Sequence, residues 1–193
     1  MVDLTSETIE ELLTALGSHL SEAGSSAGIV VVGGSSLARM GWVERTTHDI
    51  DVIAQATMTG DTWELLSPDP LPESLLAAVA RVARDFGLPN DWLNTTIGAQ
   101  WQRGLPPGFV DEIVWRRYGA LDVGFAGRRG LIALKLFAAV DQGPGSVHLQ
   151  DLQALGPTDA ELEQAAEWVS AQDAAEDFPR LVQEVVAHVL DRS

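Results

Sequence analysis

The sequence contains no cysteine, so disulfides, thiolate-bound metals and thiol nucleophiles are all excluded. Lysine is almost as scarce: Lys135 stands alone beside eleven arginines. That bias, with abundant alanine, suggests a GC-rich genome, and Lys135 is then expected where arginine does not serve. The four histidines, His19, His48, His148 and His188, are scattered without zinc-ligand spacing. No apolar run approaches the roughly 20 residues of a membrane span. The opening MVDLTSETIEELL has neither a basic n-region nor an apolar h-region, so we expect a cytoplasmic protein with no membrane partner. Basic charge is short too. Twelve basic residues face 28 acidic ones, a formal net charge of −16, which argues against a general nucleic-acid coat, because duplex binding relies on Lys and Arg neutralising phosphates.

What is present suits a globular fold. At 193 residues with 46% hydrophobic and 21% charged side chains, the chain can bury one well-cored domain with a small helical appendage. The charge is uneven. Between Arg103 and Lys135 lie six basic residues (Arg103, Arg116, Arg117, Arg128, Arg129, Lys135) and three acids (Asp111, Glu112, Asp122), so this stretch is +3 and the rest is −19. For any single arginine the plain reading is a solvated surface side chain.

Hydrophobic spacing over residues 5–21 predicts an amphipathic first helix, with acids in its first turns. GIVVVGG reads as a buried strand ended by glycines, and SSLARM as a short helix with a serine cap. DIDVIA is a second strand, residues 56–72 a loop, and PESLLAAVARVARDFG a helix with Pro72 near its start and Gly87 past its end. LPNDWLNTTIGAQWQRGLPPG reads as an irregular or short-helical connection. EIVWRRYGALDVGFAG predicts two strands with a tight turn near Tyr118 and Gly119. RRGLIALKLFAAVD and VHLQDLQAL are helical, with two more helices over roughly 158–171 and 176–191. The fold class is therefore α/β of the α+β kind: a small mixed sheet with flanking helices, then a C-terminal helical subdomain packed on it. We place the core at residues 1–126 and the subdomain at 127–193.

Two stretches carry chemistry. On a strand, Asp49 and Asp51 share a face about 7 Å apart and can jointly hold a hard divalent cation, which takes oxygen ligands from one or two carboxylates, water and phosphate. A two-metal site would want a third carboxylate; Asp122, on a strand able to lie beside the pair, is the choice by elimination. Gly33, Gly34, Ser35 and Ser36 end a strand and open a helix, offering backbone N–H groups, a positive dipole end and serine hydroxyls to a phosphate. Each has a plainer alternative, an edge strand with a wet face or ordinary strand-to-helix punctuation. Lys135 either reaches phosphates or snorkels to solvent. Arg45 either contacts phosphate or makes a local ion pair, and His148 is a base or a structural residue. The six tryptophans are dispersed and read as packing rather than as a base-stacking platform.

GGSSLARMGWVERTTHDIDV resembles the nucleotidyltransferase superfamily of DNA polymerase beta type, with Gly-Gly at a helix start and Asp-x-Asp on the next strand. With LPNDWLN, ALKLFAAVD and HLQDLQAL, the stretch from residue 28 onward resembles a bacterial nucleotidyltransferase-like family related to abortive-infection toxins of toxin–antitoxin systems. The resemblance implies a nucleotidyltransferase fold in which Gly33, Gly34 and Ser35 cradle a nucleoside triphosphate. It implies that Asp49 and Asp51 hold Mg²⁺ or Mn²⁺, that Lys135 reaches the phosphates, and that Asp151 completes the catalytic set. Those relatives often carry Lys-Asp where this chain has Val147-His148.

The expected function is Mg²⁺-dependent transfer of a nucleoside monophosphate to an acceptor hydroxyl on RNA, protein or a small molecule, with an antitoxin protein as partner if the toxin relation extends this far. In that scheme Asp49, Asp51, Asp122, Lys135 and Asp151 are catalytic, and Gly33 to Ser36, Arg45 and Lys135 bind nucleotide. The rival reading is a catalytically inactive module that binds nucleotide or a partner on the same fold.

Overall fold

The computed structural model describes residues 3–43, 45–143 and 145–191. Helix α1 (Ser6–Glu22) starts where the Thr5 hydroxyl accepts from the Thr8 amide, and its apolar stripe of Ile9, Leu12, Leu13, Leu16 and Leu20 is fully buried. Strand β1 (Ala27–Val32) runs directly into helix α2 (Gly33–Arg39). Strand β2 (Ile50–Thr59) forms a hairpin with β3 (Thr62–Leu66) through the two-residue turn at Gly60 and Asp61. Helix α3 (Glu73–Phe86) ends at Gly87 in the left-handed region. Strand β4 (Leu93–Asn94), the short helix α4 (Ala99–Arg103), and the hairpin of β5 (Val114–Tyr118) with β6 (Leu121–Phe125) follow.

These strands form one mixed sheet in the order β3-β2-β1-β6-β5, with β4 also on β2. β1 pairs with β6, and β2 with β4, in parallel; the other pairs are antiparallel. The mixed α/β architecture is the one the sequence predicts. The expected loop at 56–72 is a correction: its first part extends β2 and forms β3, because the small polar residues of QATMTGDTWELL alternate without the apolar run that marks a buried strand.

One face of the sheet is the core. Ile29, Val31, Ile50, Val52, Leu121, Val123 and Phe125 pack with the apolar faces of α1 and α3 and with Trp92. The alternate residues of β1, Gly28, Val30 and Val32, therefore lie on the opposite face. A bulge interrupts the β1–β2 register between Val30 and Val31: Val30 faces Ala54, but Val31 faces Val52 and Val32 faces Asp51. The extra residue puts Asp51 on the same face as Ala54 and Ala56.

Contacts divide the chain into two units. The first runs to Gly104 and resumes over Ile113–Ala126; the second comprises Leu105–Glu112 and the chain from Gly127 onward. The single boundary expected after residue 126 thus omits the segment Leu105–Glu112, which belongs with the helices: Phe109 lies where a Cβ on Gly130 would meet its ring, and Glu112 pairs with Arg129.

The second unit contains α5 (Arg128–Gln142), α6 (Val147–Leu155), α7 (Asp159–Ser170) and α8 (Phe178–Leu190). Arg128, in the first turn of α5, ties three of its elements. It donates to the carbonyls of Leu155 (2.7 Å) and Gly156 (3.0 Å) at the end of α6, and to both carboxylate oxygens of Glu161 (2.7 and 3.1 Å). Glu161 closes a reciprocal capping box with Thr158 at the start of α7. Among the described residues, no helix is long and apolar enough to cross a membrane.

The hydrogen bonds from Arg128, opposed by burial and aided by Thr158, hold the Glu161 carboxyl down at about 2, from 4.5. A depressed folded pKa stabilises above the unfolded value and loses that stabilisation as pH falls through the folded one. Thermal melts followed by circular dichroism are therefore expected to lose stability between about pH 5 and pH 2. Glu161→Gln should flatten that slope and cost on the order of 1 kcal/mol at neutral pH, since the pair is partly screened by solvent.

Candidate functional site

The turn from β1 into α2 is built on a glycine that nothing else can replace. Gly33 has φ +73°, and a Cβ there would stand 2.5 Å from Oδ2 of Asp51. Backbone conformation and space both require glycine. The Asp51 carboxylate thus rests on the Cα of the turn. At Gly34 an added Cβ would meet Thr47 Oγ1 at 2.8 Å and Arg45 Nη2 at 3.4 Å, so the Arg45 guanidinium overhangs the same turn while its Nη1 donates to the Thr46 carbonyl at 3.0 Å. Thr47 is fixed from outside by paired backbone bonds with Leu4, at 2.7 and 3.0 Å.

The serines behave differently from the sequence expectation. The helix begins at Gly33, with no side-chain cap. Ser35 and Ser36 are buried, and their hydroxyls donate to the carbonyls of Val32 (3.0 Å) and Ala126 (3.2 Å). They anchor α2 to the strands. What the turn offers an anion is its main-chain N–H groups rather than serine hydroxyls.

Asp49 and Asp51 flank Ile50, whose buried side chain fixes their common outward face. β4 supplies a neighbour that the sequence reading left inside an irregular connection. Asn94 pairs in register with Asp51, and its Nδ2 donates to Asp49 Oδ2 at 3.0 Å while its Oδ1 accepts from the Thr96 amide at 2.9 Å. The two bonds fix the amide's orientation. The usable signal was WLN, an apolar pair before Asn, which a two-residue strand is too short to announce by periodicity.

Asp122 does not lie beside the pair. It is opposite Gly28, whereas Asp51 is opposite Val32, four residues further along β1, or about 13 Å in the strand direction. Both its carboxylate oxygens accept from Arg117, at 2.8 and 3.0 Å. Among the described residues, no group of three His, Cys, Asp or Glu side chains is disposed to hold a metal. Two carboxylates beside the Gly33–Gly34 turn still fit a single Mg²⁺, which commonly takes one or two protein carboxylates and completes its shell with water and phosphate.

Lys135 and Asp151 belong to the second unit. Lys135 is buried, not snorkelling: Nζ lies 2.7 Å from Asp151 Oδ2, with 6% and 1% of the two side chains exposed, and 3.4 Å from His148 Nδ1. Asp151 is this buried partner. Most of the local basic excess is paired with carboxylates. Arg117, Arg128, Arg129 and Lys135 pair with Asp122, Glu161, Glu112 and Asp151.

Residues 7–93 match a family model described as Nucleotidyltransferase of unknown function (DUF6036). The match contains the Gly33 turn, Arg45, Asp49 and Asp51, and supports a nucleotidyltransferase-like assignment for this part of the chain. It ends one residue before Asn94 and does not reach the second unit. No curated protein and no solved structure matches the chain at a significant level.

Two substitutions probe this geometry. Gly33→Ala is expected to cost about 1–3 kcal/mol in urea denaturation. It should also abolish any thermal shift produced by Mg²⁺ with a nucleoside triphosphate, because it displaces Asp51. Asn94→Asp keeps the acceptor for the Thr96 amide but replaces the donor to Asp49 with a third carboxylate. Mn²⁺ titration by electron paramagnetic resonance should then show affinity raised several-fold.

Proposed function

We propose that the protein is a Mg²⁺-dependent nucleotidyltransferase moving a nucleoside monophosphate from a nucleoside triphosphate to an acceptor hydroxyl. The observation that carries this reading is the contact of Asp51 with Gly33, which makes a carboxylate pair and an anion-binding turn neighbours. Bound Mg²⁺, or Mn²⁺ in its place, supplies charge neutralisation at the transferring phosphate. Asp49 and Asp51 would hold it, with Asn94 orienting Asp49. The N–H groups of the Gly33–Gly34 turn would hold phosphate oxygens, and Arg45 would add a fixed positive charge above them.

Catalysis on this plan is positioning and electrostatics. The acceptor oxygen bonds to the α-phosphorus, the bond from that phosphorus to the β-phosphate oxygen breaks, pyrophosphate leaves, and the hydroxyl proton passes to solvent. The acceptor is RNA, protein or a small molecule. The resemblance to abortive-infection toxins extends the reading to a cytoplasmic growth-arresting toxin of bacteria, held by an antitoxin protein.

A second reading, a nucleotide- or partner-binding module without chemistry, is favoured by the amide of Asn94 where a third carboxylate would serve a second metal. Incubation with each α-labelled triphosphate, Mg²⁺ and bacterial extract, followed by fractionation of the label, separates the two. Transfer should require Mg²⁺ and fall at least 100-fold in Asp51→Asn. Failure of the wild type to label any fraction, with nucleotide binding retained, would establish the inactive module.

A further inference from the structure

Trp63 and Trp115 stand on β3 and β5, the two outer strands of the sheet, yet their rings stack with centroids 3.9 Å apart and an interplanar angle of 15°. Residues that are remote in sequence meet because the central strands beneath them are nearly bare on that face. Gly124, opposite Trp115 across the hairpin, would put an added Cβ 3.0 Å from its ring. An added Cβ on Gly28 would stand 2.3 Å from the Ala56 carbonyl oxygen.

Beside this stack lies a cavity of about 550 Å³, lined by Trp63, Met58, Ala56, Gly28, Arg117 and Asp122 among others. The pairing places all six on the sheet face opposite the α1 and α3 core, the face that also bears Asp51. The volume suits a small planar ligand. Trp115 backs Trp63, so the indole that lines the cavity is already immobilised and a ligand stacking on it loses little in ordering it.

We propose that this cavity binds a nucleobase of the acceptor, stacked on Trp63 and hydrogen-bonded at the rim by Arg117. Arg117 uses Nε–H and one Nη2–H on Asp122, and its side chain is 71% exposed, leaving in-plane donors for base nitrogen and oxygen atoms. The Arg117–Asp122 pair is electrically balanced and the chain carries −16 overall, so the recognition is of an uncharged base and not of a phosphate backbone. Stacking on a fixed aromatic tolerates any base. The base belongs to a free nucleoside monophosphate or to the end of an RNA strand. The proposal rests on the transferase reading for the word acceptor, but binding in the cavity does not require transfer.

Its test is equilibrium binding of fluorescently labelled AMP and of a labelled ten-nucleotide oligoadenylate to the full chain, by anisotropy, without Mg²⁺ or triphosphate. Micromolar to sub-millimolar binding of either probe is expected, tighter for AMP if the acceptor is small and for the oligonucleotide if it is RNA. Trp63→Ala should weaken binding about tenfold. Should that variant fail to fold, Met58→Asp, at a position 47% exposed, places a carboxylate in the cavity and should weaken binding comparably. Asp51→Asn should leave it unchanged, which separates this site from the phosphate turn and keeps the result independent of whether label transfer is found. Absence of binding of both probes up to millimolar overturns the proposal. So does affinity unaffected by Met58→Asp, affinity lost in Asp51→Asn, or an oligonucleotide affinity that falls about a thousandfold between 50 and 200 mM salt, which would put the contacts on phosphate.

Discussion

A carboxylate oxygen resting on a glycine Cα organises the first unit. For Asp51 to sit there, β2 must pair with β1 so that Val32 and Asp51 are partners, and the chain between α2 and β2 must return to the same turn. Three connections outside the turn keep that register. The Leu4–Thr47 bridge pins the returning chain, the Ile50 amide donates to the Trp92 carbonyl, and the buried Trp92 indole donates to the Val79 carbonyl in α3. The hydrophobic core thereby sets the position of the Asp51 carboxylate against the Gly33 turn.

The second unit solves a different problem, the burial of charge. Lys135 and Asp151 are both almost fully enclosed, and removing one partner of such a pair typically costs about 3–5 kcal/mol because the other is left uncompensated. His148 sits at the lysine's ammonium. In a chain with a single lysine, a compact point charge on a flexible stem fits this enclosure, where a planar guanidinium would need more partners. Arg128 does the complementary work at the surface, satisfying the carbonyls that end α6 and the carboxylate that caps α7.

Sequence pattern was sufficient for the long helices and for β1, β2, β5 and β6. α1, α3 and the four C-terminal helices carry apolar stripes, Gly87, Gly143 and Gly156 close α3, α5 and α6, and β1 is a β-branched run. It was insufficient where local pattern and tertiary role diverge. β3 is a five-residue strand with no fully buried side chain, β4 is two residues long, and Ser35 and Ser36 look like phosphate ligands until their burial shows them bonded to main chain. Asp122 has the right residue type on a strand of the same sheet, yet pairing register, which a single sequence does not display, puts it four residues away. The tryptophans are dispersed along the chain; only the folding of the sheet makes Trp63 and Trp115 neighbours.

The bulge between Val30 and Val31 has an evolutionary corollary. Because side-chain direction in a strand alternates with every residue, that one extra residue acts as a parity switch between the Asp51 end of β2 and the cavity end. A single insertion or deletion between Asp51 and Ala54 would turn the carboxylates toward the helices or expose the core residues that flank them. Chain length between Asp51 and Ala54 is as constrained as residue identity.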